Sequence, residues 1–113
     1  MPTDCVFCKI VRGVIPAEIV AENDSAIAFR DLDPQAPVHV LVVPREHFDS
    51  LADAYDPVVL GNVMRLSADV AWREGVAEEG YRTVINTGRD GGQSVEHLHV
   101  HVLGGRRMAW PPG

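Results

Sequence analysis

The chain of 113 residues has little cysteine, no excess of basic residues and no long apolar segment. Its two cysteines are too few for a framework of structural disulfides. Its formal net charge of −6 leaves no basic stripe that could neutralise the phosphates of a long nucleic acid. A secretory signal pattern and a run of about 18 apolar residues are both missing. We therefore expect a cytoplasmic protein whose partners are neither membranes nor nucleic acid polymers, although local donors could still receive a small anion.

The distribution of apolar residues predicts the fold. A hydrophobic content of 46% is enough for the core of one domain over residues 1–113. Apolar residues at helical spacing predict a short helix over residues 5–12 and a long helix over residues 56–75, with Asp56 as its N-cap. Alternating and β-branched runs predict strands over residues 18–21, 25–31, 38–43, 81–87 and 96–103. The predicted class is α+β: an antiparallel sheet of about five strands with the long helix on one face and a short N-terminal helix.

Three histidines alternate with aliphatic residues in the last predicted strand. Side chains alternate between the faces of a strand, so His97, His99 and His101 should project from one face. Such a row stabilises a fold poorly, because buried imidazoles need partners and protonated ones repel each other. Imidazole offers nucleophilic attack, proton transfer and metal binding near neutral pH. The alternatives are a half-exposed edge strand and a metallohydrolase with one shared zinc, which the spacing of about 7 Å between alternate residues disfavours.

The two cysteines lie three positions apart, at Cys5 and Cys8. In a reducing cytosol this spacing favours a zinc site. A thioredoxin-like redox pair would follow a strand and open a helix in a βαβ unit, which the pattern lacks. Two ordinary thiols on a short amphipathic helix are the remaining alternative.

A glycine-rich loop over residues 88–94 precedes the histidines. Gly91 and Gly92 allow positive φ, so that consecutive N–H groups turn toward one point, and Ser94 adds a hydroxyl. Asn86, at the end of the preceding strand, could offer its amide to the same point. Loops of this composition often make only hairpin turns. The adjacent imidazoles nevertheless favour a phosphate-binding concavity.

The histidine pattern resembles the His-x-His-x-His-x-x signature of the histidine triad superfamily, in which x is hydrophobic. The ending of the chain is most similar to the histidine triad nucleotide-binding branch, whose members are purine nucleoside phosphoramidases, and less similar to the diadenosine polyphosphate hydrolases. The motifs that extend the resemblance over nearly the whole chain are Phe7-Cys8-Lys9-Ile10, Ile15-Pro16, Ala28-Phe29-Arg30-Asp31, Pro34-Gln35-Ala36-Pro37, His39-Val40-Leu41-Val42-Val43-Pro44, Gly91-Gly92-Gln93-Ser94-Val95, His97-Leu98-His99-Val100-His101-Val102-Leu103, Leu103-Gly104-Gly105-Arg106 and Trp110-Pro111-Pro112-Gly113.

The resemblance implies a histidine-triad fold and an enzyme that hydrolyses purine nucleoside 5′-phosphoramidates at the α-phosphorus. His99 would be the nucleophile and would form a nucleotidyl-histidine, which water then hydrolyses. His101 would stabilise charge on the phosphate oxygens, and Ser94 would bond the leaving group or a phosphate oxygen. His39 would orient a neighbouring imidazole, although a lone histidine in an apolar strand is also compatible with an ordinary core residue. A non-catalytic module that senses AMP or an adenylated partner remains the rival function.

The same resemblance assigns residues to the nucleotide. Asp31 would accept both ribose hydroxyls, since a carboxylate has two acceptor oxygens. The phosphate would be held by Asn86, Gly92, Gln93, Ser94 and His101. The purine would lie in an apolar slot formed by Phe7, Ile10, Ile15, Phe29 and Leu32.

The superfamily also suggests a metal and an assembly. Related nucleotidyltransferases bind zinc through a cysteine pair, a downstream histidine and the first triad histidine. The implied ligands here are Cys5, Cys8, His47 and His97, a closed Cys2His2 set and hence a structural zinc. The family forms two-fold dimers, so we expect a homodimer in which Trp110 borders the partner's leaving-group pocket. A flexible tail is the alternative for the segment around Trp110.

Overall fold

In a computed structural model that describes residues 4–113, the chain forms five strands, two α-helices and one 3-10 helix. All five strands belong to one antiparallel sheet, in the order β1-β2-β3-β5-β4. This confirms the predicted fold class. The bounds are α1 Val6–Val11, β1 Ile19–Glu22, β2 Ala26–Arg30, β3 Val38–Pro44, the 3-10 helix Leu51–Asp53, α2 Pro57–Arg73, β4 Tyr81–Val84 and β5 Val100–Gly104.

The long helix α2 covers one face of the sheet. Its start is set by Asp56, whose carboxylate accepts the N–H of Val58 at 2.9 Å, and by Pro57 in the first turn. Its end is followed by Gly75, which has a φ of +75° that suits glycine. The buried side chains that join α2 to this face of the sheet include Val63, Leu66 and Val70 of α2 and Val40, Val42, Val100 and Val102 of β3 and β5.

The other face of the sheet is covered at one end by the short helix α1. Phe7 of α1 packs with Phe29 and Leu41 in a second apolar cluster on this face. Leu41 is the cross-strand partner of His101, and directly opposed residues of an antiparallel pair share a face. The histidines therefore lie on the side of α1, away from the long helix.

The last predicted strand is shorter than expected. It was expected over residues 96–103, but β5 begins at Val100, so His97 and His99 precede the ladder. The register that pairs Val42 with Val100 would bring Leu98 opposite Pro44, which has no N–H to donate. The N–H of Leu98 instead donates to the carbonyl of Phe48 at 2.8 Å. The predicted strand over residues 81–87 likewise ends early, at Val84, because it runs antiparallel to β5 and there pairs with His101, one residue after the start of β5.

None of the helices formed within residues 4–113 is both long enough and apolar enough to cross a membrane.

Candidate active site and metal centre

The three triad imidazoles line one side of the chain, as the alternation predicts. The ring centroids of His99 and His101 lie 5.0 Å apart. The ring of Phe7 packs edge-to-face with His97 and His99, at centroid distances of 5.8 Å and 5.2 Å. His97 and His99 are buried, and His101 is half-buried. The row is thus assembled on a packed aromatic support and is no exposed strand edge.

The hydrogen bond of His99 determines which of its nitrogens is free. Nδ1 lies 2.8 Å from the carbonyl oxygen of His97, an acceptor, so Nδ1 carries the proton and donates it. In a neutral imidazole the other nitrogen, Nε2, then holds a lone pair. His99 therefore offers a nucleophilic Nε2, and the bond to His97 fixes the orientation of the ring.

A chain of hydrogen bonds also fixes the protonation of His39 and His101. The backbone N–H of Gln35 donates to Nδ1 of His39 at 3.0 Å, so the proton of a neutral His39 must be on Nε2. That Nε2 lies 2.9 Å from Nδ1 of His101 and donates to it. His101 consequently carries its own proton on Nε2. The last nitrogen of this series of hydrogen bonds, Nε2 of His101, is therefore an N–H donor.

Burial keeps the imidazoles of His39 and His101 uncharged. Burial lowers the pKa of His39, against the opposing effect of the nearby Asp31 and Asp33 carboxylates. The pKa of His101 is lowered to about 4, first by burial and then by the neighbouring His99 and His39, against the opposing effect of Asp31. Both imidazoles are therefore uncharged at neutral pH, the state in which each can both accept and donate a proton.

Asp31, His39 and His101, which we call the relay cluster, bring ligand-type atoms within 4.8 Å of one another. The nearest Asp31 oxygen is 3.4 Å from Nε2 of His39. A metal on that Nε2 would need its lone pair, which would move the proton to Nδ1 and against the N–H of Gln35. The relay cluster therefore fits a proton path and not a metal ion.

A second group, Cys5, Cys8, His47 and His97, also brings its ligand atoms within 4.8 Å of one another, and we call it the thiol cluster. Its histidines have the opposite arrangement to those of the relay cluster. Nε2 of His97 donates to the carbonyl of Pro44 at 3.0 Å, and Nε2 of His47 donates to Asp49 at 2.8 Å. Both Nδ1 lone pairs therefore face each other, 3.1 Å apart.

Two opposed lone pairs without a proton between them are stabilised by a cation. The sulfur of Cys8 lies 3.3 Å from Nδ1 of His47, and the sulfur of Cys5 lies 3.4 Å from Nδ1 of His97. Burial and the neighbouring Cys5 raise the pKa of the Cys8 thiol to about 11, so a bound cation is needed to hold this sulfur as a thiolate at neutral pH. The donor set of two sulfurs and two imidazole nitrogens fits tetrahedral zinc.

The glycine-rich loop is closed by hydrogen bonds of its own backbone. The N–H of Gly92 donates to the carbonyl of Arg89, and the N–H of Gln93 donates to the carbonyl of Gly88. The side chain of Gln93 is also used within the protein, because its amide donates to the carbonyls of Asp49 and Val95. The amides of Gly92 and Gln93 therefore close the turn in this structure, and their part in a phosphate cradle stays a prediction.

The apolar slot is present in part. Phe7 and Phe29 are buried with ring centroids 5.5 Å apart, and Ile10 packs against their cluster. Ile15 is half-buried. Leu32 stands apart with its side chain 100% exposed, so its place in the wall of the slot stays a prediction. The loop from Asp31 onward carries Leu32 away from the sheet, since Asp31 turns back to accept the N–H of Asp33.

The other predicted residues surround the site. Ser94 is exposed and lines a cavity of about 300 Å³ whose wall includes Cys5 and His47. Asn86 is half-buried just beyond β4. Trp110 is 83% exposed, and its segment is held to β4 by Arg82, which donates to the carbonyl of Ala109.

Two residues with a part in the site were missed at the level of sequence. Asp49 accepts the outward N–H of His47, and its position two residues after a histidine was an available signal for such a partner. Gln35 acts through its backbone N–H, which no side-chain pattern reveals.

Comparison with known proteins gives a consistent result. A family model described as HIT domain matches residues 12–108. An uncharacterized HIT-like protein of Synechococcus elongatus is 53% identical, with both chains covered completely, and a purine nucleoside phosphoramidase of Escherichia coli is 44% identical over 96% of this chain and 92% of its own. A HIT family hydrolase from Legionella pneumophila superposes with a TM-score of 0.93 at 46% identity, over 97% of this chain and 100% of its own. The chain therefore belongs to the histidine triad family of HIT-domain proteins.

Proposed function

We propose that the protein hydrolyses purine nucleoside 5′-phosphoramidates through a nucleotidyl intermediate on His99. The observation that carries the proposal is the fixed protonation of two adjacent imidazoles. Nε2 of His99 is a free lone pair, while Nε2 of His101 is an N–H donor, and the two rings are 5.0 Å apart. The similarity to the phosphoramidase of Escherichia coli supports the substrate class.

The reaction follows from these two nitrogens. Nε2 of His99 attacks the α-phosphorus, the bond from phosphorus to the amine nitrogen breaks, and the amine leaves with a proton taken from solvent, which the attacking water of the second step returns. The hydrogen bond from Nδ1 of His99 to the carbonyl of His97 stabilises the positive charge that the ring gains in the adduct. The Nε2–H of His101 donates to a non-bridging oxygen. Water then attacks the phosphorus, which releases the nucleoside 5′-monophosphate and restores His99.

Other residues hold the nucleotide in this proposal. Asp31 accepts the ribose hydroxyls. One of its oxygens already accepts the N–H of Asp33, but the carboxylate has further lone pairs for both hydroxyls. Ser94 and Asn86 bond the leaving group and the phosphate. The purine packs on the apolar residues at the end of α1, and Leu32 covers it from the loop, since a fully exposed leucine gains by burial.

We further propose that the thiol cluster holds a structural zinc. The support is the chemistry of its donors: two thiols and two Nδ1 lone pairs that converge with no proton between the rings. Bound zinc would supply a closed crosslink between α1 and the segments that carry His47 and His97, with no open position for substrate.

Finally, we propose a homodimer. Strand β4 is one edge of the sheet, and Tyr81 on it is partly exposed. Trp110 is 83% exposed beside that edge, which suits a partner surface. Deletion of residues 109–113 should alter the preference among amine leaving groups a few-fold more than the affinity for AMP. A monomer in sedimentation at micromolar concentration, or an unaltered substrate profile after the deletion, would contradict this assembly.

The central experiment is hydrolysis of adenosine 5′-phosphoramidate, followed by AMP release, with an acid-labile adduct sought by rapid denaturation and mass measurement. The expected adduct has the mass of the chain plus one adenylyl group and is absent from His99→Ala. Tight binding of AMP by the parent without turnover or adduct would instead favour the nucleotide-sensing module.

A further inference from the structure

The proton position on His39 depends on a loop that connects β2 to β3. The N–H of Gln35 in this loop donates to Nδ1 of His39, and only this bond excludes the proton from Nδ1. Asp31 favours the same tautomer through its oxygen 3.4 Å from Nε2, a distance too long for a strong hydrogen bond. The placement of Gln35 therefore decides how completely His39 serves as the donor to His101.

Gln35 is anchored from a distant part of the chain. Its carbonyl accepts Nε–H of Arg106 at 3.1 Å, across 71 positions of sequence. Its side chain donates to the carbonyl of Asp33, which lies in the same loop and cannot fix the loop to the sheet. Gly105, next to Arg106, has a φ of +87° and passes so close to Pro37 that an added Cβ would lie 2.9 Å from the proline Cβ. The end of β5 thus packs on this loop and bonds it.

We propose that Arg106 is a positioning residue for the relay cluster: through Gln35 it holds His39 in the tautomer that donates to His101. The catalytic consequence rests on the proposed function, since it assumes that the Nε2–H of His101 is used on phosphate. The effect on the tautomer does not depend on that function. No other side chain in the described part of the chain donates to the Gln35 carbonyl.

The physical result of removing Arg106 is a weaker preference and not a reversed one. Gln35 is exposed, so water replaces Arg106 at its carbonyl and the loop gains freedom to move the N–H away from His39. His39 then distributes its proton between both nitrogens, and the Nδ1–H form presents a lone pair to the lone pair of His101. That form no longer holds the proton of His101 on Nε2, the atom that is proposed to donate to the phosphate.

The test compares R106M, R106K and the matched control R107M. Lysine retains a donor, and Arg107 is the adjacent exposed arginine with no side-chain hydrogen bond found within residues 4–113. Nitrogen-15 spectra of the imidazoles, recorded at pH 7.5 without substrate, give the tautomers of His39 and His101. Steady-state kinetics with adenosine 5′-phosphoramidate give kcat and KM.

We expect R106M to shift the His39 signals toward a mixture of tautomers and to lower kcat about tenfold, with KM within twofold of the parent. R106K should restore most of both, and R107M should match the parent. Imidazole spectra of R106M identical to those of the parent, or the same shift in R107M, would overturn the proposal. If R106M does not fold, R106Q, whose shorter side chain should not reach Gln35, serves in its place. If the parent lacks phosphoramidase activity but the spectra change as expected, the proposed function fails and the positioning role stands.

Discussion

The relay cluster and the thiol cluster both contain two histidines, but a proton lies between the two imidazoles of the relay cluster and none lies between those of the thiol cluster. In the thiol cluster the Nε2–H groups of His47 and His97 donate outward, to Asp49 and to the carbonyl of Pro44, so both lone pairs point inward. In the relay cluster each imidazole accepts on Nδ1 and donates or presents a proton on Nε2. The partner of the second nitrogen, and not the number of histidines, decides between a metal site and a proton path.

The thiol cluster is joined to His99 through His97. The ring of His97 belongs to the thiol cluster, while its carbonyl accepts the Nδ1–H of His99, the proposed nucleophile. Measuring metal content and turnover on the same variants should therefore distinguish a substitution that acts on the thiol cluster from one that acts on the relay cluster.

The largest expected effect is that of the nucleophile. His99→Gly should lower kcat at least about a thousandfold, because the substitution removes the nitrogen that is proposed to attack phosphorus. AMP affinity, measured by calorimetry, should change little, and zinc content should be that of the parent. A variant that keeps a tenth of the parent kcat would rule out the nucleotidyl-histidine route.

Loss of a sulfur should act on the other cluster. Cys5→Ser should leave protein prepared without chelator far below the expected one zinc per chain, with a lower melting temperature, since metal binding adds to folding free energy. Turnover per folded molecule should fall much less than the metal content. Metal analysis that finds no zinc in carefully reduced parent protein would return Cys5 and Cys8 to ordinary thiols.

Substitution of the inner relay histidine should separate the clusters in the opposite sense. His39→Gln removes the donor to Nδ1 of His101, so kcat should fall roughly 10- to 100-fold while zinc content stays unchanged. His47→Asn is the matched variant and should lose zinc while it retains most of the turnover per folded molecule. Equal losses of turnover in the two variants would remove the distinction between the clusters.

The smallest expected effect concerns acid stability. Burial lowers the pKa of His101 to about 4, from about 6.5 in an unfolded chain, so the folded protein favours the neutral ring. Its contribution to stability is complete above pH 6.5 and is lost as the pH falls toward 4. Urea unfolding across this range, at matched zinc content, should show a decline that is about 1 to 3 kcal/mol smaller in His101→Gln than in the parent. Parallel curves for the two proteins would show that His101 is not shifted.

The elements of the fold were predictable where local chemistry is decisive. Asp56 and Pro57 mark the start of α2, because an N-cap carboxylate and a fixed φ both act within one turn. The histidine strand was expected from residue 96 but begins only at Val100, because Pro44 at the end of β3 has no N–H to donate to a longer strand. The full exposure of Leu32 was likewise not predictable from its neighbours in sequence, since it depends on the path of a whole loop.

The sequence by itself determined which chemistry is present: alternating histidines on one side of the chain, a cysteine pair near a short helix, and donors suited to zinc. These follow from the two-residue period of extended backbone and from the identity of the side chains. Only the tertiary structure decided which nitrogen of each imidazole carries the proton. The deciding partners of His39, His97 and His99 are backbone groups of Gln35, Pro44 and His97. A backbone N–H or carbonyl leaves no mark in the pattern of side chains, so only the fold shows which one lies within 3.0 Å of a ring.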